Sequence, residues 1–176
     1  MKITEGSFEA TGHTSVICDF SPPRSGDAAV VGQAQIDADF ISVAYNPGRA
    51  VRTNSAMLAA AIQNSGKDAV FTLATRDMNK LALQTQLLGA QLLGVQNVVV
   101  VQGDPFGERD QTRVASVNDY THNGLIAAIA QMNQGQDFKE SKLGQPTDFC
   151  IGATMDLGRG IEEEAQLAVR KVEAGA

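Results

Sequence analysis

The chain has 176 residues, 43% apolar and 19% charged, a balance ordinary for one folded domain with a sizeable core. Its net charge of −6 argues against nucleic acid or an anionic membrane surface as the main partner. No apolar run approaches the roughly 18 residues of a membrane span. With no secretory h-region evident, Cys18 and Cys150 read as reduced thiols, and a cytoplasmic protein forming a single domain over 1–176 is expected.

In chain order, five short apolar runs read as strands: SVICDF (15–20), DFISVAY (39–45), AVFTLAT (69–75), NVVVV (97–101) and DFCIGAT (148–154). They lack clean alternation, as strands covered on both faces do. Helical patterns are expected over 25–36, 53–64, 78–93, 114–133 and 161–173. In the third of these, Leu81, Leu88 and Leu92 form an apolar stripe at helical spacing, with Gly94 placed as a C-terminal cap. Regular βα alternation leads either to an open doubly wound sheet or to a (β/α)8 barrel. The first strand is not followed by G-x-G-x-x-G, which disfavours the dinucleotide-binding form of the open sheet, and no phosphate-binding G-x-x-x-x-G-K-[ST] loop occurs.

Polar residues collect where the strands end: Asp19 and Arg24, Tyr45 and Asn46, Arg76 and Asp77, Gln102 and Asp104, Thr154 and Asp156. Each alone reads as a cap or turn residue, but five pairs on one rim point to a shared site. The spacing of His, Cys and acidic residues suggests no metal centre. His13 precedes the first strand and His122 falls in the fourth helical segment, so neither pairs with Cys18 as a nucleophile's base.

The motifs DFSPPR (19–24), NPGRAVRTNSAMLAA (46–60), TRDMN (75–79), LQTQLLGAQLLGVQNVVVVQGDP (83–105), ASVND (115–119) and RKVEAGA (170–176) together resemble the methylenetetrahydrofolate reductase family, in order and at its spacing. The likeness is nearest to the type fused or associated with homocysteine methyltransferases. It implies an α/β fold of the (β/α)8 TIM-barrel type, FAD as cofactor, and reduction of 5,10-methylenetetrahydrofolate to 5-methyltetrahydrofolate by NAD(P)H. It further implies that Asp104 lies beside flavin and folate, with Gly103 allowing close backbone approach. Asp19 would occupy the place of the family's proton-donating Glu. That donor would then sit roughly 1 Å further back, a displacement worth about 10²-fold in rate. Ala115 and Ser116, expected at a helix start, match a stretch that binds cofactor phosphates. Arg170 and Lys171 match a basic pair that helps hold the cofactor, although such a pair also complements the dipole of a helix end.

The chain departs from the family pattern at Thr72, where many members carry His, at Gln102, where Arg or Thr is common, and at Met155-Asp156-Leu157. A complete barrel takes about 250 residues, so about five of eight βα units are expected, lacking the last three. The first and fifth strands would be open edges, to be covered by a homo-oligomer or by a second chain completing the barrel. The alternative function is a catalytically weak or inactive barrel remnant acting as a binding or assembly subunit.

Overall fold

Four valines in a row favour extended backbone, because a β-branched side chain packs well on a pleated surface. In the computed structural model, which describes residues 1–176 with the side chains of residues 8 and 159 left aside, Asn97–Val101 is the fourth of five parallel strands. The strands are β1 (Ile17–Phe20), β2 (Phe40–Val43), β3 (Asp68–Ala74), β4 (Asn97–Val101) and β5 (Cys150–Ala153). Each expected strand is present, trimmed by a residue or more at its ends except β4, and β3 starts one residue early.

The spatial order is β1-β2-β3-β4-β5, every neighbour parallel. A doubly wound sheet reverses direction at a switch point; this one steps the same way each time, as the wall of a (β/α)8 barrel does. Register gives the two faces. Ile41, Val43, Phe71, Leu73, Val98 and Val100 pack into the core beneath the helices. The alternate residues, including Ser42, Thr72, Val99 and Gly152, share the other face.

The helices among the described residues are α1 (Phe8–Thr11), α2 (Val30–Gln33), α3 (Ser55–Asn64), α4 (Lys80–Leu92), α5 (Glu108–Gln111), α6 (His122–Asn133) and α7 (Ile161–Glu173). The three that build the outer layer over the central strands start on side-chain caps. Asn54 accepts from the Ala56 and Met57 amides at 3.0 and 3.1 Å, Asn79 from Ala82 at 2.9 Å and Thr121 from Gly124 at 3.0 Å. None of these helices is long and apolar enough to cross a membrane.

Three expectations need correction. The helix placed at 25–36 is a single turn at Val30–Gln33, since Gly26 and Gly32 weaken it and Asp27 turns its side chain back onto the Ala29 amide at 3.0 Å. The helix placed at 114–133 begins only at His122. Asn118 has a left-handed φ of 49°, and the Val117 amide is drawn onto the Arg76 carbonyl at 2.7 Å, so residues 114–121 cross the end of β3 as an irregular strap. On α4 the stripe of Leu81, Leu88 and Leu92 faces outward, these side chains being 63%, 41% and 86% exposed. The buried stripe is Leu83, Leu87 and Ala90. Gly94 does end the helix as expected, with φ 84° and the Val95 amide reaching back to the Ala90 carbonyl.

The amino-terminal ends of the strands are closed by a turn at Ile3–Gly6. The buried Asn97 amide holds it, accepting from the Ile3 N–H at 2.9 Å and donating to the Met1 carbonyl at 2.9 Å and to Ala69 at 3.2 Å. The opposite ends of the strands stay open.

Candidate active site

At those open carboxyl ends lies a cleft of about 720 Å³, within the roughly 300–1,000 Å³ range of small-molecule sites. Its floor comes from sheet residues such as Thr72 and Val101, and its walls from the segments after β2, β4 and β5 with the start of α6. The sequence dictates this placement: each apolar run gives way to polar or Gly/Pro residues where the strand ends.

Part of the wall is a largely buried polar cluster after β2 and β3. Arg76 is only 5% exposed and forks onto Asp77, Nε to Oδ1 at 2.5 Å and Nη2 to Oδ2 at 2.7 Å. The Phe106 ring lies 4.2 Å from the Arg76 guanidinium carbon, and the remaining arm of the fork donates to the Asp104 carbonyl at 2.7 Å. Burial and the neighbouring Asp77 charge push the Tyr45 phenol well above its ordinary value. Burial also works to raise Asp77, but hydrogen bonds from Arg76 and Tyr45 outweigh it and hold the carboxyl below the usual range. The hydrogen bond to Asp77 keeps Arg76 firmly charged despite its burial.

Of the seven residues to which the family resemblance gives a role, four line this cleft: Gly103, Asp104, Ser116 and Lys171. Asp104 is exposed at the rim. Gly103 has φ 86°, and a Cβ there would stand 3.1 Å from the Arg76 Cβ and 3.4 Å from the Ala74 Cβ. Its small size thus serves the packing of the loop on β3. Lys171 donates to the Thr154 carbonyl at 2.5 Å, tying α7 to the end of β5.

Asp19, Ala115 and Arg170 do not line the cleft. Asp19 is exposed on the edge strand, paired in register with Ser42 and so on the cleft's face of the sheet, but one inward-facing position below Ala44 and Thr72. Ala115 and Ser116 lie in the strap before α6, which corrects the expected helix start; their amides are not those of a helix N-terminus. Arg170 is exposed on α7. Of the departures from the family pattern, Thr72, Gln102 and Asp156 line the cleft, whereas Met155 is 51% and Leu157 64% exposed.

Other contributors were not singled out individually. Tyr45, Arg76 and Asp77 were visible only as polar pairs at strand ends. His122, read from sequence as part of a helix interior, opens α6; its Nε2 is 2.8 Å from the Val100 carbonyl and must donate there, since a carbonyl can only accept. Glu164 gave no signal within the run of glutamates at 162–164, yet it is 2% exposed, lines the cleft and accepts from the Asp156 amide at 3.1 Å. Among the described residues no group of three or more His, Cys, Asp or Glu side chains is placed to hold a metal ion.

Five parallel strands in sequential order with helices on the outer face define an α/β protein of the (β/α)8-barrel type, and its polar cleft lies at the strand ends where such barrels carry their sites. Comparison with protein families gives a match to methylenetetrahydrofolate reductase over residues 6–176. The chain belongs to this family of folate-related reductases. No curated protein matches it.

Proposed function

We propose that this chain, acting as one domain over 1–176, reduces 5,10-methylenetetrahydrofolate to 5-methyltetrahydrofolate with NAD(P)H, using FAD. The observation that carries the reading is the position of Asp104: the Gly-Asp-Pro segment, within the family match, brings a carboxylate to the rim of the cleft at the strand carboxyl ends.

The residues present fit a flavin dinucleotide by their donor chemistry. The side-chain amides of Asn46, Gln102, Asn118 and Asn123 can meet the alternating carbonyls and nitrogens of a flavin edge. Lys171 spends one ammonium proton on Thr154 and keeps others for a diphosphate, beside Ser116. Ala115 and Arg170 would contribute only from the border of the cleft. When bound, FAD would carry the hydride between nicotinamide and folate. The protein's own part is to orient the pterin through the Asp104 side chain at the cleft rim, and to supply the proton that opens the folate's five-membered ring. Asp19 is the proposed donor of that proton.

Asp19 also favours a second reading, a catalytically weak barrel serving as a binding or assembly subunit, because its carboxylate stands outside the cleft lining. The sheet edges β1 and β5 would in either case suit pairing with a second copy or another chain. The test is to purify the chain, record its solution mass and visible spectrum with added FAD, and assay both half-reactions. The enzymatic reading expects bound flavin, loss of folate turnover in Asp104→Ala, and Asp19→Asn blocking folate reduction while sparing NAD(P)H oxidation. A chain that takes up no FAD would overturn it.

A further inference from the structure

The segment from Gln102 to Phe106 is held in an unusual way: side chains take its carbonyls one after another. Thr75 Oγ1 donates to the Gln102 carbonyl at 3.2 Å, Arg76 Nη1 to Asp104 at 2.7 Å, Arg49 Nη1 to Pro105 at 3.0 Å and Gln111 Nε2 to Phe106 at 2.9 Å. Pro105 has no N–H to give, and Gly103, at a positive φ, is of the residue type with the widest choice of backbone conformations. The conformation of this loop therefore depends on what its neighbours donate.

The two arginines come from different sides. Arg76 follows β3 and is immobilised before it reaches the loop, by its fork to Asp77 and by the Phe106 ring. Asp77 is in turn held by Tyr45 from the end of β2. Arg49 lies in the turn Pro47–Arg49 after β2 and must pass over the end of β3 to reach the β4 loop. It does so from a left-handed backbone, φ 58°, which a residue with a side chain adopts seldom and only when its surroundings require it. Asn46, at φ 40°, opens the same turn.

We propose that Arg49 and Arg76 form a two-point clamp on the consecutive carbonyls of Asp104 and Pro105, and are the positioning residues that fix the Asp104 carboxylate at the cleft rim. Neither acts on a ligand directly. The clamp gives a soft Gly-Asp-Pro loop the rigidity that a directed carboxylate needs, because a charge that wanders by an ångström loses most of its orienting effect. The importance of the clamp for chemistry rests on the reading that Asp104 faces a flavin and a folate.

The test has two arms. The first uses the ligand-free chain and measures backbone 15N order parameters at residues 103, 104, 106 and 107 in wild type, Arg49→Ala and Arg76→Lys. Arg49 is exposed, so its removal leaves the core intact; Arg76→Lys keeps the charge but cannot hold Asp77 and the Asp104 carbonyl together. A fall in these order parameters from about 0.85 to below about 0.6 in each variant, with β3 and β4 amides unchanged, is expected from the loss of one charge-assisted hydrogen bond. Unchanged order parameters in both variants would overturn the clamp. The second arm titrates FAD and follows its visible band. Arg49→Ala and Arg76→Lys should alter the band in the wild-type background and have no further effect in Asp104→Ala; an undiminished effect in that background would show that they do not act through Asp104. If wild type binds no FAD, the enzymatic reading fails while the order parameters still decide the clamp.

Discussion

Gly103 carries two constraints at once, a φ of 86° and a Cβ position already within 3.1 Å of the Arg76 side chain. Gly103→Ala would therefore strain the backbone and push against the Arg76 Cβ, at the root of a side chain whose guanidinium is already held. A cost of about 1–3 kcal/mol is expected for a non-glycine residue in such a conformation, read as a lower urea midpoint with an unchanged denaturant slope. A midpoint equal to wild type would mean that the loop simply shifts to accept the methyl group. The residue scale also marks how far the site was legible. Asp104 was conspicuous as a carboxylate following four valines, although taken alone it reads as a residue that ends a strand. Asp19 was equally conspicuous, yet the edge strand holds it one inward position too low to reach the cleft lining. Glu164 was invisible, since three successive glutamates at a helix start look alike until the helix is rotated onto its sheet.

At the scale of the element, α4 shows why periodicity alone misassigned a face. Its 13 residues and the cap that follows carry leucines at 81, 83, 87, 88, 92 and 93, so a stripe at helical spacing can be drawn along either side. The sheet decides between them, and it takes Leu83, Leu87 and Ala90. Leu87→Ala should accordingly cost about 2–5 kcal/mol, the transfer term plus a cavity that a neighbouring strand cannot fill. Leu81→Gln, Leu88→Gln and Leu92→Gln should each stay within about 0.5 kcal/mol. Urea melts of the four variants measure the contrast directly. Comparable losses at Leu81 and Leu87 would show that the outer stripe is covered in solution. Element starts were misjudged for a related reason. The strap at 114–121 has helix-compatible residues, but its Val117 amide is bound to Arg76, a partner more than 40 positions away that no local pattern can reveal.

At the scale of the whole molecule, βα alternation was legible from the apolar runs, whereas the choice between an open sheet and a barrel wall depends on strand order, which is a property of packing across the chain. The same holds for pH dependence, because the Tyr45–Asp77–Arg76 cluster joins the ends of β2 and β3 to the β4 loop. The Asp77 carboxyl is held below its unfolded value of about 3.9. Its contribution to stability is thus fully present above pH ~4 and is lost as pH falls through the lower folded value. Tyr45 is shifted the other way, above its unfolded value of about 10, so its contribution is complete below pH ~10 and is lost as pH rises beyond that. The cluster therefore supports a plateau bounded at both ends by its own members. Asp77→Asn should lower stability by about 3 kcal/mol at neutral pH, since it strands a buried guanidinium, and should flatten the decline below pH ~4 relative to wild type. Tyr45→Phe should cost about 1 kcal/mol at neutral pH, make the alkaline decline shallower and reduce the acid limb only in part, since Arg76 still holds Asp77 down. Urea midpoints from pH 3 to 11 for the three proteins separate these effects from the titration of the other carboxylates, which all three share. Parallel curves would mean that the cluster keeps its protonation states on unfolding and that the carboxylates elsewhere set the acid limit.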